Sequence, residues 1–133
     1  MEVQQTIINI TSTEPVQLYE FYRDKIGLPE LEGMGELALN AGGAALTFDG
    51  HSEIAGPARE PARYLVNLMV GDLGKEHDRI VAAGVPCIRD KGLEFWGGII
   101  STFVDPDGNY IQVMEYDPTK ATEPAAAGTG ASE

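Results

Sequence analysis

Cysteine is nearly absent from this chain: Cys87 is the only one. No internal disulfide can form, so stability must come from a packed core, for which 133 residues are enough. A lone thiol also fits a reducing compartment, and the sequence reads as cytoplasmic. Basic residues are scarce as well, nine Lys and Arg against 21 Asp and Glu, for a net charge of −12. Binding to a phosphate backbone or an anionic membrane runs on clustered cations, so a nucleic-acid or membrane-surface partner is excluded. No apolar run approaches the roughly 18 residues that a membrane span requires. Residues 1–5 lack the basic and apolar regions of a signal peptide. There are only two histidines, His51 and His77, and neither has a partner at metal-ligand spacing.

What the chain does have is a repeat. Asn9 opens a stretch that ends in Gly27-Leu28-Pro29, and Asn67 opens one that ends in Gly84-Val85-Pro86. The asparagines lie 58 positions apart and the triplets 57. That period is too long for a solenoid unit and suits one βαβββ module. The β-branched residues 3–11 predict a strand. Pro15 suits the first turn of a helix running to Ile26 and ending at Gly27. Three short strands are expected over residues 28–31, 36–40 and 44–48. Residues 51–63, with two prolines and mixed charges, read as a linker. The second module, residues 64–117, repeats the order: a strand over 64–70, then a helix capped by Asp72 and stopped at Gly84. Strands over 85–89, 99–104 and 110–116 follow, the last two joined at Asp105-Pro106-Asp107-Gly108. The tail, residues 118–133, has the composition of a disordered segment. The pattern GGxxxTF occurs at Gly42 and at Gly97, but pairing them would equate a third strand with a second, so we treat it as coincidence.

Two stretches carry a family resemblance. Phe21-Tyr22-Arg23-Asp24-Lys25-Ile26-Gly27-Leu28 and Phe103-Val104-Asp105-Pro106-Asp107-Gly108-Asn109-Tyr110-Ile111 resemble segments of the glyoxalase/bleomycin-resistance/dioxygenase proteins, also called the vicinal oxygen chelate superfamily. The resemblance spans about residues 3–117 and implies one α+β domain. In it, module one (about 3–50) and module two (about 64–117) form a curved eight-stranded sheet with a concave cup, helices on the convex face, and a site where the modules face each other. It also implies a homodimer. Fold alone does not settle function, because members include metal lyases, epimerases, dioxygenases and drug-sequestering proteins. The metal-using members hold a divalent ion with side chains of the first and fourth strands of each half. Carried over, those positions fall on Ile7, Ala45, Leu65 and Gln112, none of which is a good ligand for such an ion. No metal and no other cofactor is therefore expected.

Strand parity sorts the remaining side chains. One parity is uniformly apolar: Ile8, Ile10, Leu46, Phe48, Val66, Leu68, Val70, Ile111 and Val113. The other mixes apolar groups with neutral polar ones: Asn9, Thr47, Asn67, Gln112 and Met114. Apolar walls with a few hydrogen-bonding groups suit a small-molecule pocket. Asn9 and Asn67, at equivalent repeat positions, either hold a guest or bond each other and the backbone. Phe95 and Trp96, beside Gly97 and Gly98, form either a stacking wall or rim packing. Arg89 and Glu94 read as surface residues, His77 as a solvated helix residue, and Cys87 as a buried inert thiol. The leading reading is metal-independent binding of a small-molecule ligand at Asn9, Thr47, Asn67, Phe95, Trp96, Gln112 and Met114. The alternatives are a lyase, isomerase or dioxygenase using Gln112 with Glu115 or His51, or working without metal, and a non-catalytic scaffold.

Overall fold

The computed structural model describes residues 1–122. They fall into two compact units, Met1–Arg59 and the chain from Glu60 on. The boundary lies inside the stretch read as a linker, and each unit holds one copy of the repeat.

In the first unit β1 (Ile7–Thr11) runs parallel to β3 (Ala45–Asp49), and β2 (Ala38–Asn40) pairs antiparallel with β3, giving the order β1-β3-β2. The expected strand from residue 3 begins only at Ile7. Its partner β3 cannot extend back past Ala45, because Gly42 at φ 79° turns the chain there, so earlier residues have no ladder to join. Residues 28–31, expected as a strand, contribute a single bridge between Glu30 and Leu39. Pro29 has no N–H to donate, so the ladder cannot grow through it, although its carbonyl accepts from Asn40 at 2.8 Å.

The first helix, α1 (Pro15–Phe21), gives way to a π-helical turn at Tyr22–Ile26 rather than continuing as α-helix. The carbonyl of Tyr22 accepts from both Gly27 and Leu28 at 3.0 Å, which closes this wider turn. Leu18, Tyr22 and Ile26 are buried, as are Leu39, Leu46 and Phe48, and the Tyr22 and Phe48 rings lie 5.5 Å apart. Each such side chain contributes about 1.5–3 kcal/mol by leaving water.

The second unit has β4 (Val66–Met69), α2 (Leu73–Ala82), β5 (Cys87–Leu93), β6 (Gly98–Val104) and β7 (Tyr110–Tyr116), in the sheet order β4-β7-β6-β5. β4 is parallel to β7, and the other pairs are antiparallel. Asp72 caps α2 by accepting from Lys75 N at 3.1 Å, as its sequence position predicts. β5 runs past Arg89 to Leu93, with register shifts on either side of Arg89. The β6–β7 turn is held by Asp105, whose Oδ1 accepts from the backbone of Asp107 and Asn109 at 2.9 Å. Leu73, Ile80, Phe103, Ile111 and Val113 form the core.

The described residues thus form the expected α+β fold, with seven strands hydrogen-bonded as sheets of three and four, the eighth expected strand being reduced to the Glu30–Leu39 bridge. Among them no helix is long and apolar enough to cross a membrane. Pro118–Lys120 forms a 3-10 turn, and Thr122 N donates to Phe95 O. The rest of the segment expected to be disordered, residues 123–133, lies outside the described residues.

Candidate ligand-binding faces

Each sheet has one face under its helix and one turned away. In the first unit Phe48 meets Tyr19 and Tyr22, so the helix face carries Leu46 and Phe48, and the opposite face carries Ile7, Asn9, Ala45 and Thr47. Asn9 and Thr47 are direct neighbours in the parallel register, and the Thr47 hydroxyl donates to Asn9 Oδ1 at 2.8 Å. The bond joins Asn9 to a side chain of its own module rather than to Asn67. A pocket of about 590 Å³ opens on this face, bounded by Ile7, Asn9, Met34, Glu36, Thr47 and Asp49. Its wall is the loop before β2, where Gly35 at φ 90° takes a left-handed conformation that side chains resist. Met34 is tied to the sheet side by Gln5, whose Nε2 donates to Sδ at 3.5 Å. Met34 lies on a loop and had no signal in strand parity, Glu36 was expected to open a strand that begins only at Ala38, and Asp49, one residue past the expected strand, continues the parity of Ala45 and Thr47.

In the second unit Asn67 and Gln112 are neighbours in the parallel register of β4 and β7, as Asn9 and Thr47 are in the first. The repeat therefore equates Thr47, rather than Ala45, with Gln112. Gln112 is 1% exposed and donates from Nε2 to Thr102 Oγ1 at 2.9 Å. Asn67 is exposed. Met69 and Met114, partners in the same register, carry this face toward Tyr116. At that end the Trp96 and Tyr116 rings lie 6.1 Å apart and tilted by 33°. Gly98 has to be glycine there, because a Cβ would fall 2.2 Å from the Trp96 ring. The ring lies against bare backbone. Phe95 and Trp96 are both half-buried.

Several residues depart from their sequence readings. Glu94 is 6% exposed and pairs with the Arg89 guanidinium, so these two are not surface residues. Both lie next to the polar face, since Arg89 is the register partner of Thr102. His77 is 8% exposed, not solvated: Nδ1 lies 2.7 Å from Ser101 Oγ and Nε2 lies 3.1 Å from Asp90. Its ring stands 5.5 Å from that of Phe103. Leu73, His77 and Ile80 share one helical stripe, a signal the sequence did contain. Cys87 is exposed rather than buried, with its thiol 3.2 Å from Arg89 O. Partial burial of the sulfur pushes its pKa up, and the Asp90 carboxylate pushes it further. Glu115, a candidate donor in the enzyme reading, is occupied at the start of α2, where Oε1 accepts from Leu73 N at 2.9 Å. His51 Nδ1 accepts from Glu53 N at 3.1 Å.

Two βαβ-type modules, each with an amide on its first strand beside a polar residue on its last, define a class of paired-module α+β proteins. The chain belongs to the Glyoxalase/Bleomycin resistance protein/Dioxygenase superfamily, whose family model matches residues 7–113. Solved structures of similar fold include a glyoxalase/bleomycin resistance protein/dioxygenase family enzyme from Burkholderia phytofirmans PsJN. It is 20% identical over 84% of this chain and 98% of its own, with a TM-score of 0.68. A glyoxalase/bleomycin resistance protein/dioxygenase from Alicyclobacillus acidocaldarius is 16% identical over 90% and 96%, with a TM-score of 0.67. TioX from Micromonospora sp. ML1 is 16% identical over 86% and 100%, with a TM-score of 0.66. At these identities the likeness concerns the fold. No curated protein matches the sequence.

The divalent ion associated with this family finds no fitting donors at the corresponding positions. Ile7 and Leu65 offer only hydrocarbon. Thr47 and Gln112 offer a neutral hydroxyl and a neutral amide, each already bonded to a neighbouring polar side chain. Hydrocarbon cannot coordinate, and a neutral hydroxyl or amide is a weaker donor than the carboxylate or imidazole such ions prefer. Among the described residues no three His, Cys, Asp or Glu side chains gather into a set that could hold an ion.

Proposed function

We propose that this protein binds a small organic molecule through neutral hydrogen-bonding groups on the sheet faces turned away from its helices, without a bound metal. The observation that carries the reading is the repeated pair, Asn9 beside Thr47 and Asn67 beside Gln112, on the same strands as the positions where the family's metal users place ionic ligands. Amides and hydroxyls orient a guest's carbonyl, hydroxyl or amine, and none serves as a general base near neutral pH. Met69, Met114 and the Trp96–Tyr116 pair supply the apolar contact, and Phe95 lies beside Trp96 at the same edge. Membership of the superfamily and the single thiol support a homodimer acting in the cytoplasm.

The test is ligand titration in the presence of EDTA, followed by amide chemical shifts. Small aromatic molecules are expected to move Asn9, Thr47, Asn67 and Met114 without metal. Binding that appears only after adding a divalent ion overturns the reading.

A further inference from the structure

We propose that residues 117–122, which follow the last strand of the second module, act as a strap that holds the Trp96 wall in place and so controls a guest's access to that module's ligand face. The inference rests on reading the face as a ligand site and goes further by naming the segment that regulates it.

Trp96 is bracketed by this segment. The carbonyl of Phe95, the residue before it, accepts from Thr122 N at 2.6 Å. The carbonyl of Gly97, the residue after it, accepts from Asp117 N at 3.0 Å. The fit at Gly97 is close: a Cβ there would fall 2.4 Å from the Asp117 carbonyl oxygen, and the φ of 97° is left-handed, so only glycine meets both demands. Between the two bonds the chain makes the 3-10 turn Pro118–Lys120. Asp117 caps it, with Oδ1 accepting from Thr119 N at 3.0 Å and from the Thr119 hydroxyl at 2.6 Å.

What the strap lacks is an apolar anchor. Residues 118–122 are exposed, and no side chain of the turn is buried. Its hold is a few backbone bonds that water can replace, so it opens at lower cost than β6 and β7, whose Phe103, Ile111 and Val113 lie in the core. Opening frees the carbonyls of Phe95 and Gly97 together, and the turn that carries Trp96 loses support on both flanks. A fastening weak in itself and attached on either side of an aromatic wall residue is built as a latch rather than as a core element.

The test keeps the chain at full length. Thr122→Pro removes the N–H that bonds Phe95 O, and Ala121, at ψ 143°, already has the extended backbone that a following proline requires. Thr122→Ala retains the N–H and serves as the control. In Thr122→Pro, binding of 2-naphthalenemethanol, read by calorimetry, is expected to weaken about three- to tenfold. Acrylamide quenching of Trp96, the only tryptophan, should rise about twofold. Asp117→Ala, which removes the cap, should move both in the same direction, and Thr122→Ala neither. The urea midpoint of Thr122→Pro should stay at the wild-type value, because no buried group is lost. By linkage, saturating 2-naphthalenemethanol should slow exchange of the Thr122 amide at least about twofold. Unchanged quenching in Thr122→Pro overturns the strap. That readout needs no guest: if the wild-type chain takes up no probe, the small-molecule reading fails, while raised quenching still supports the strap. Raised quenching with unchanged affinity, Thr122 exchange that ignores a bound guest, or a lowered urea midpoint in Thr122→Pro overturns the control of access.

Discussion

Trp96 lies against Gly98 on the second module's polar face. A methyl group at position 98 would sit 2.2 Å from the indole, so the ring must move or the strand must bend. Gly98→Ala is expected to cost about 1–3 kcal/mol of stability. Because Trp96 is the only tryptophan, its emission reports the displacement without ambiguity. Unchanged emission and an unchanged urea midpoint would show that the ring does not rest on Gly98. The sequence displayed the aromatic pair and both glycines but not which ring covered which backbone, since that depends on the Tyr116 partner across the β6–β7 ladder. Cys87 makes the converse point. Its position after Pro86 suggested burial, whereas the bulged β5 leaves the residue exposed with only its sulfur tucked toward Arg89 O. With its pKa raised, Cys87 holds less thiolate at neutral pH than an ordinary cysteine. Iodoacetamide labelling should be slower than that of glutathione at pH 7, and should still climb with pH after the glutathione rate has levelled off. Labelling faster than glutathione at pH 7 would contradict the assignment.

At the scale of elements, α2 is fastened to its sheet by polar bonds as well as by apolar packing. His77 reaches Ser101 on β6 and Asp90 on β5, and Glu115 on β7 accepts from the first N–H of the helix. His77→Ala removes the ring and strands a fully buried Ser101 hydroxyl, so a loss of about 2–3 kcal/mol is expected in urea unfolding. A loss below about 0.5 kcal/mol would mean that the bonds are not stabilising. Both helix starts and seven of the eight expected strands were legible because each follows from local chemistry: Pro15 at a first turn, Asp72 as a cap, and alternation along β3, β6 and β7. The Asp105 turn was legible for the same reason. The strand expected at residues 28–31 was not recoverable as it stands, since its failure to extend depends on which of its N–H groups the neighbouring β2 requires. The change from α1 to a π-helical turn depends similarly on a carbonyl, that of Tyr22, that serves two donors beyond Ile26.

At the scale of the whole molecule, the repeat carries the functional argument. Strand parity alone identified Asn9, Thr47, Asn67, Gln112 and Met114 as residues on the faces turned away from the helices. The structure adds their pairing, Asn9 with Thr47 and Asn67 with Gln112. Parity could not reveal the loop wall of the first pocket, nor the Arg89–Glu94 pair beside the second face, because both arise outside regular alternation. The central claim is that the faces carrying these neutral pairs bind a small molecule without a metal. Native mass spectrometry of the full chain, purified without added metal and dialysed against EDTA, tests this most directly. The account predicts a mass with no divalent ion per chain, and unchanged uptake of a small aromatic probe, 2-naphthalenemethanol, before and after chelation. One tightly held divalent ion per chain that survives EDTA, or uptake that vanishes with chelation, would contradict it.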